Sequence, residues 1–137
     1  MPGPGDLVSA PDYAFAFRVL EPAPEHPRRA LVLLHGVGGH EGQMATLGSG
    51  LDAGTLVVLP RAPRSLGAGM FGWFRVGFTD RGPVIVEEEA EESRANLVAF
   101  LGQLQSRHGL APDRCVVAGF SQGGNGLLYS VKSSSQI

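Results

Sequence analysis

Residues Cys115–Gly124 read CVVAGFSQGG: an unbroken apolar run that meets a serine and closes on paired glycines. Five small or branched apolar residues with no polar alternation describe a strand covered on both faces. The same grammar occurs upstream. ALVLLHG, Ala30–Gly36, is an apolar run closed by glycine, and GTLVVLPRAP supplies a further buried strand at Thr55–Leu59, stopped by Pro60. YAFAFRVL, Tyr13–Leu20, alternates weakly and predicts an early, half-buried strand. Between these runs, HEGQMATLGSGL predicts a short helix weakened by its glycines, and residues 61–83, rich in Gly, Arg and Phe, predict a long surface excursion.

The clearest helix is predicted over Val84–His108. Ala90, Leu97, Phe100, Leu101 and Leu104 recur at steps of three and four and make one apolar face. Glu87, Glu88, Glu89, Glu91 and Glu92 crowd its first turns, where carboxylates meet the positive end of the helix dipole, and read as a solvated helix start. Apolar strands alternating with helices predict an α/β fold: a mostly parallel sheet covered on both faces, in one domain spanning 1–137. In such sheets ligands gather at the carboxyl ends of the strands. Two strand ends stand out, HGVGGH after Ala30–Leu34 and GFSQGG after Cys115–Ala118.

Bulk properties narrow the function. A net charge of −2 over 137 residues provides no basic footprint for nucleic acid. No apolar run reaches the roughly 18 residues of a membrane span, and MPGPGDLVSAP has no signal-peptide core. The single cysteine, Cys115, reads as a small buried hydrophobe, and no Cys/His cluster has zinc spacing. A cytoplasmic protein without metal or cofactor is the expectation.

Gly119-Phe120-Ser121-Gln122-Gly123 fits G-x-S-x-G directly after a strand and before a predicted helix. A serine on so sharp a turn has neighbours two residues away that leave no room for side chains, and glycine at 119 and 123 removes that clash. A serine that attacks a carbonyl also needs N–H donors for the oxyanion. One is the amide of Gln122; the other comes from the loop after an earlier strand, where glycines 36, 38 and 39 let backbone approach a substrate. The rival reading of HGVGG, a dinucleotide-binding G-x-G-x-x-G, has Glu41 where its last glycine belongs and leaves GFSQGG unexplained.

LVLLHGVGG, LVVLPRAPR, GWF and CVVAGFSQGG, in this order and spacing, resemble the phospholipase/carboxylesterase branch of the α/β-hydrolase superfamily, which includes acyl-protein thioesterase-like enzymes. The likeness covers about residues 10–126. It implies a three-layer α/β/α sandwich, no cofactor, and hydrolysis of carboxylic esters or thioesters through an acyl-serine. It also implies roles: Ser121 as nucleophile, Val37 and Gln122 as oxyanion donors, and Trp73 in the segment that shapes the acyl pocket. His35 matches a histidine that serves architecture and does not act as the base.

The resemblance implies an acid and then a histidine after the serine, yet no Asp, Glu or His follows Ser121 here. The tail SVKSSSQI, residues 130–137, is polar and holds the only lysine. The expectation is a truncated domain that lacks its C-terminal strands and is impaired in turnover. The strand at 115–119 then becomes an apolar edge inviting self-association or a complementing chain. The alternative is a non-catalytic remnant that binds a ligand or a partner chain.

Overall fold

The structure, a computed structural model, describes residues 3–36, 38–48 and 50–119. Among them, nine strands and two α-helices follow in chain order. The strands are β1 (Gly3–Pro4), β2 (Phe17–Glu21), β3 (Arg29–Leu34), β4 (Thr55–Pro60), β5 (Arg64–Gly67), β6 (Met70–Gly72), β7 (Val76–Thr79), β8 (Gly82–Ile85) and β9 (Cys115–Gly119). Helix α1 (Ala45–Gly48) lies between β3 and β4, and α2 (Glu87–His108) between β8 and β9.

The apolar runs form the central sheet, in the order β1-β2-β4-β3-β9. β3 pairs in parallel with β4 and β9, while β2 adds antiparallel to β4 and β1 to β2. The absence of polar alternation in β3 and β4 has its reason in the two layers over them. Ala30, Val32, Leu34, Leu56 and Val58 pack with Leu97, Phe100, Leu101 and Leu104 of α2. Leu33, Val57 and Leu59 pack on the other face with Met44 and Leu20, joined by Ala45. This is the expected α/β/α layering.

The chain crosses from β3 to β4 on one side of β3 and returns through α2 to β9 on the other. Strand order therefore reverses at β3, and the crevice outside the carboxyl ends of β3 and β9 is the switch point where such sheets bind ligands. The register makes those ends level: Leu34, last of β3, stands opposite Gly119, last of β9.

Three expectations need correction. The strand expected over Tyr13–Leu20 is β2 and begins only at Phe17, because residues 11–15 form turns, although Phe15 still enters the core. HEGQMATLGSGL gives only a 3-10 turn, Glu41–Met44, and the single α-turn α1. The long helix starts at Glu87, since Val84 and Ile85 pair in the β7–β8 hairpin. Residues 61–83 form the expected surface excursion, folded into the mostly exposed hairpins β5–β6 and β7–β8, while Trp73 and Phe74 between them are buried in the core. An aromatic-rich loop can bury its rings where a helix face and a sheet end leave a corner, as α2 and β3 do here.

α2 ends as its sequence dictates, with Gly109 at φ +65°, its amide donating to the Gln105 carbonyl. Beyond it, β9 pairs with β3 alone among the described residues, and Val116 on it is 55% exposed.

Candidate functional site

The glycine-rich turn after β3 is tied down on every side. Gly38 takes φ +78°, a conformation that excludes most side chains. Its amide donates to the Phe71 carbonyl at 3.0 Å, and the Phe71 amide donates to the Gly39 carbonyl at 2.9 Å. Gly39 in turn donates to the Gly36 carbonyl at 3.1 Å, and a side chain at 39 would run into Gln43. The amides of Gly38 and Gly39 are thus both engaged within the protein.

His35, at the head of this turn, is fully buried. The Ala62 amide donates to its Nε2 at 3.0 Å. With Nε2 an acceptor, the ring proton sits on Nδ1, which donates to the Gly36 carbonyl at 2.8 Å. Burial pushes its pKa down, only partly countered by the Gly36 carbonyl and the Glu41 charge, so the ring is held neutral. Both nitrogens are in use, and the ring has no lone pair to offer a substrate.

Trp73 is equally enclosed. Its indole N–H donates to the His35 carbonyl at 2.8 Å, its ring lies 5.3 Å from the imidazole, and Ser93 of α2 donates to its carbonyl at 2.5 Å. Trp73 thereby couples α2 to the first residue of the glycine turn.

At the far end of the turn stands Glu41, whose side chain is 2% exposed. Arg61 reaches it through Nη2 at 2.6 Å and Nε at 3.1 Å, and Arg18 through Nε at 3.0 Å. Burial opposes its charge, yet the two guanidinium groups outweigh it and bring its pKa down to about 2. Arg61 also lies with its guanidinium carbon 4.4 Å from the centre of the Phe71 ring. A second buried carboxylate, Glu89, corrects the reading of a solvated helix start. It accepts from the Arg75 amide at 2.9 Å and from its guanidinium, with Arg64 at 3.3 Å. Its neighbours Glu87, Glu88, Glu91 and Glu92 are exposed as expected.

Of the residues assigned chemistry from sequence, Trp73 and His35 are placed as above. Val37, Ser121 and Gln122 lie outside the described residues, as does the 130–137 tail. Among the described residues no group of three His, Cys, Asp or Glu side chains could hold a metal ion, and no helix is long and apolar enough to cross a membrane.

A model of the phospholipase/carboxylesterase family matches residues 16–137. The chain belongs to that family. Solved structures of related esterases agree in fold. A carboxylesterase from Mesorhizobium loti is 28% identical with a TM-score of 0.73, over 93% of this chain and 58% of that one. Esterase PE8 is 26% identical with a TM-score of 0.69, over 92% and 57%. Acyl-protein thioesterase 2 from Zea mays is 25% identical with a TM-score of 0.58, over 83% and 49%. The chain therefore spans less than two thirds of the length of these structures. No curated protein matches it.

The sequence of this family member marks the glycine turn after β3 but not the groups around it: Arg18, Glu41, Arg61, Phe71 and Glu89. Glu41 drew notice only as a residue that spoils a dinucleotide motif. A usable signal did exist in PRAP, residues 60–63, where an arginine directly follows a buried strand and must find a partner close by.

Proposed function

We propose that this chain carries the nucleophile and oxyanion half of a hydrolase of carboxylic esters or thioesters, with Ser121 as the nucleophile. The observation that carries the reading is the level ending of β3 and β9, Leu34 opposite Gly119. Adjacent strands lie about 4.8 Å apart, and Ser121 is two peptide units beyond Gly119, within about 7.6 Å of it by chain length. The chain after β9 and the glycine turn after β3 thus leave the sheet side by side at the switch point, which supports a serine within reach of that turn.

The Ser121 hydroxyl would attack the acyl carbonyl, and the alcohol or thiol would leave with a proton. Water would then release the acid from the acyl-serine. Val37 and Gln122 are the proposed oxyanion donors. The amides of Gly38 and Gly39 are already engaged within the protein, which argues against either of them as the donor. Trp73, wholly buried and bonded to the His35 carbonyl, supports the turn from within and does not itself line the acyl pocket. The described histidines do not serve as base. His35 is saturated, and the Nδ1 of His40 accepts from Gly42 at 3.2 Å. His26 and His108 precede β3 and β9, at the opposite end of the sheet. A reducing, cytoplasmic setting suits the lone Cys115.

The second reading is a non-catalytic member that binds a ligand or partner chain through the same cleft. Hydrolysis of a short-chain aryl ester separates the two. On the hydrolase reading the wild type exceeds Ser121→Ala, with a residual acceleration of about 10³–10⁴ over water. Equal rates for the two proteins would overturn it.

A further inference from the structure

We propose that Arg61 is a positioning residue for the glycine turn: clamped by the buried Glu41, its guanidinium backs the Phe71 ring, and the Phe71 main chain fixes Gly38 and Gly39. The inference rests on the hydrolase reading for its catalytic consequence, though not for its structural one.

Each link is a short contact. Arg61 follows β4 immediately, and its amide donates to the Ala16 carbonyl at 2.8 Å, so its backbone is anchored to the segment that leads into β2. The two-point grip of Glu41 orients the planar guanidinium, and Arg18 on the same carboxylate leaves that grip little freedom. A flat cation 4.4 Å from the ring centre is at stacking distance from Phe71. Phe71 sits on β6, at the end of a hairpin whose connection to the turn is the two-bond bridge with Gly38 and Gly39. Arg64 also ties β5–β6 to α2, through Glu89 and Glu92, and Phe71 packs on the core. Arg61 is the cation that backs the Phe71 ring where the hairpin meets the turn.

The next residue acts in the same sense. Ala62 donates to His35 Nε2. Residues 61 and 62 thus hold the turn from both ends, one through a side chain and one through an amide. A displacement of β6 would move Gly38 and Gly39, and Gly39 holds the Gly36 carbonyl, the other half of the Gly36–Val37 peptide whose N–H the proposed oxyanion contact uses. Misplacement by about an ångström can cost on the order of 100-fold in rate.

The test uses the full chain with Arg61→Lys, Arg61→Gln and Phe71→Leu. Lysine keeps a charge for Glu41 but loses the planar stack. Leucine at 71 removes the ring while leaving both main-chain bonds and every Glu41 ion pair in place, so it guards against a simple folding failure of the arginine variants. Amide exchange of Gly38 and Phe71 is expected to speed up about tenfold in all three variants, while Val32 and Val58 in the core stay within about twofold of wild type. For aryl ester hydrolysis, kcat is expected to fall about tenfold with KM unchanged, because only the transition state uses the turn. Unchanged exchange at Gly38 and Phe71 in Phe71→Leu, or a rise matched at Val32 and Val58, overturns the proposal. If Ser121→Ala equals wild type in turnover, the hydrolase reading falls alone, and the exchange pattern still decides whether Arg61 holds the turn.

Discussion

The Ala62 amide donates to the buried Nε2 of His35 across 3.0 Å, and this one bond takes the histidine nearest the glycine turn out of any proton transfer. It also makes His35 a sensor of acid in the fold. The native state holds the ring neutral, with a pKa below the usual 6.5, whereas the unfolded chain protonates it normally. Protons are then bound preferentially by the unfolded state as pH falls below 6.5. Stability is full above that pH and declines beneath it, by up to about 1.4 kcal/mol per pH unit, until the native pKa is reached. Urea titrations at stepped pH should show this slope, and His35→Gln should remove it.

Glu41 adds a second, more acidic leg. Its carboxylate titrates near 2 in the fold against 4.5 for an ordinary glutamate. Its contribution is present above pH 4.5 and lost as pH falls toward about 2, roughly 3 kcal/mol in all. Glu41→Gln should flatten that leg. At neutral pH it should cost about 3–5 kcal/mol, since Arg18 and Arg61 are left facing each other around a neutral amide.

Trp73 is the only tryptophan in the chain and is wholly enclosed. Its fluorescence should be blue-shifted and resistant to acrylamide, and should shift red on unfolding. Trp73→Phe keeps most of the ring but deletes the N–H that serves the His35 carbonyl, with an expected loss of about 1–3 kcal/mol. An emission typical of water-exposed indole would contradict the placement.

Much of this arrangement is legible in the sequence, and the reason is physical. Runs such as Ala30–Leu34 and Thr55–Leu59 read correctly because a strand covered on both faces has no freedom to be polar. The apolar positions of α2 read correctly because a helix on a sheet must repeat every three to four residues. What escaped is non-local. Glu89 looks like its exposed neighbours, and only Arg64 and Arg75, brought over by two hairpins, make it a buried anchor. Those hairpins went unseen because their strands are three or four residues long and rich in glycine, with too few side chains to show a period of two. The serine motif at 119–123 is read from its spacing together with the apolar strand before it; the pairing of that strand, β9, with β3 is something no local pattern encodes.

Val116 stands more than half exposed on β9, which pairs with β3 alone among the described residues. An apolar strand edge without a lysine or proline to guard it is a template for pairing with another chain. Val116→Lys should reduce light scattering of concentrated protein while leaving the circular dichroism spectrum unchanged. Equal scattering would contradict association through this edge.

The central claim is that the hydroxyl at 121 meets an acyl group beside the glycine turn. Acid-quenched mixtures of the protein with a short-chain aryl ester, digested and weighed by mass spectrometry, test it most directly. The account predicts one acyl adduct, on the peptide carrying Ser121, and none in Ser121→Ala. An adduct confined to Lys132 or the amino terminus, or the same labelling with and without Ser121, would contradict it.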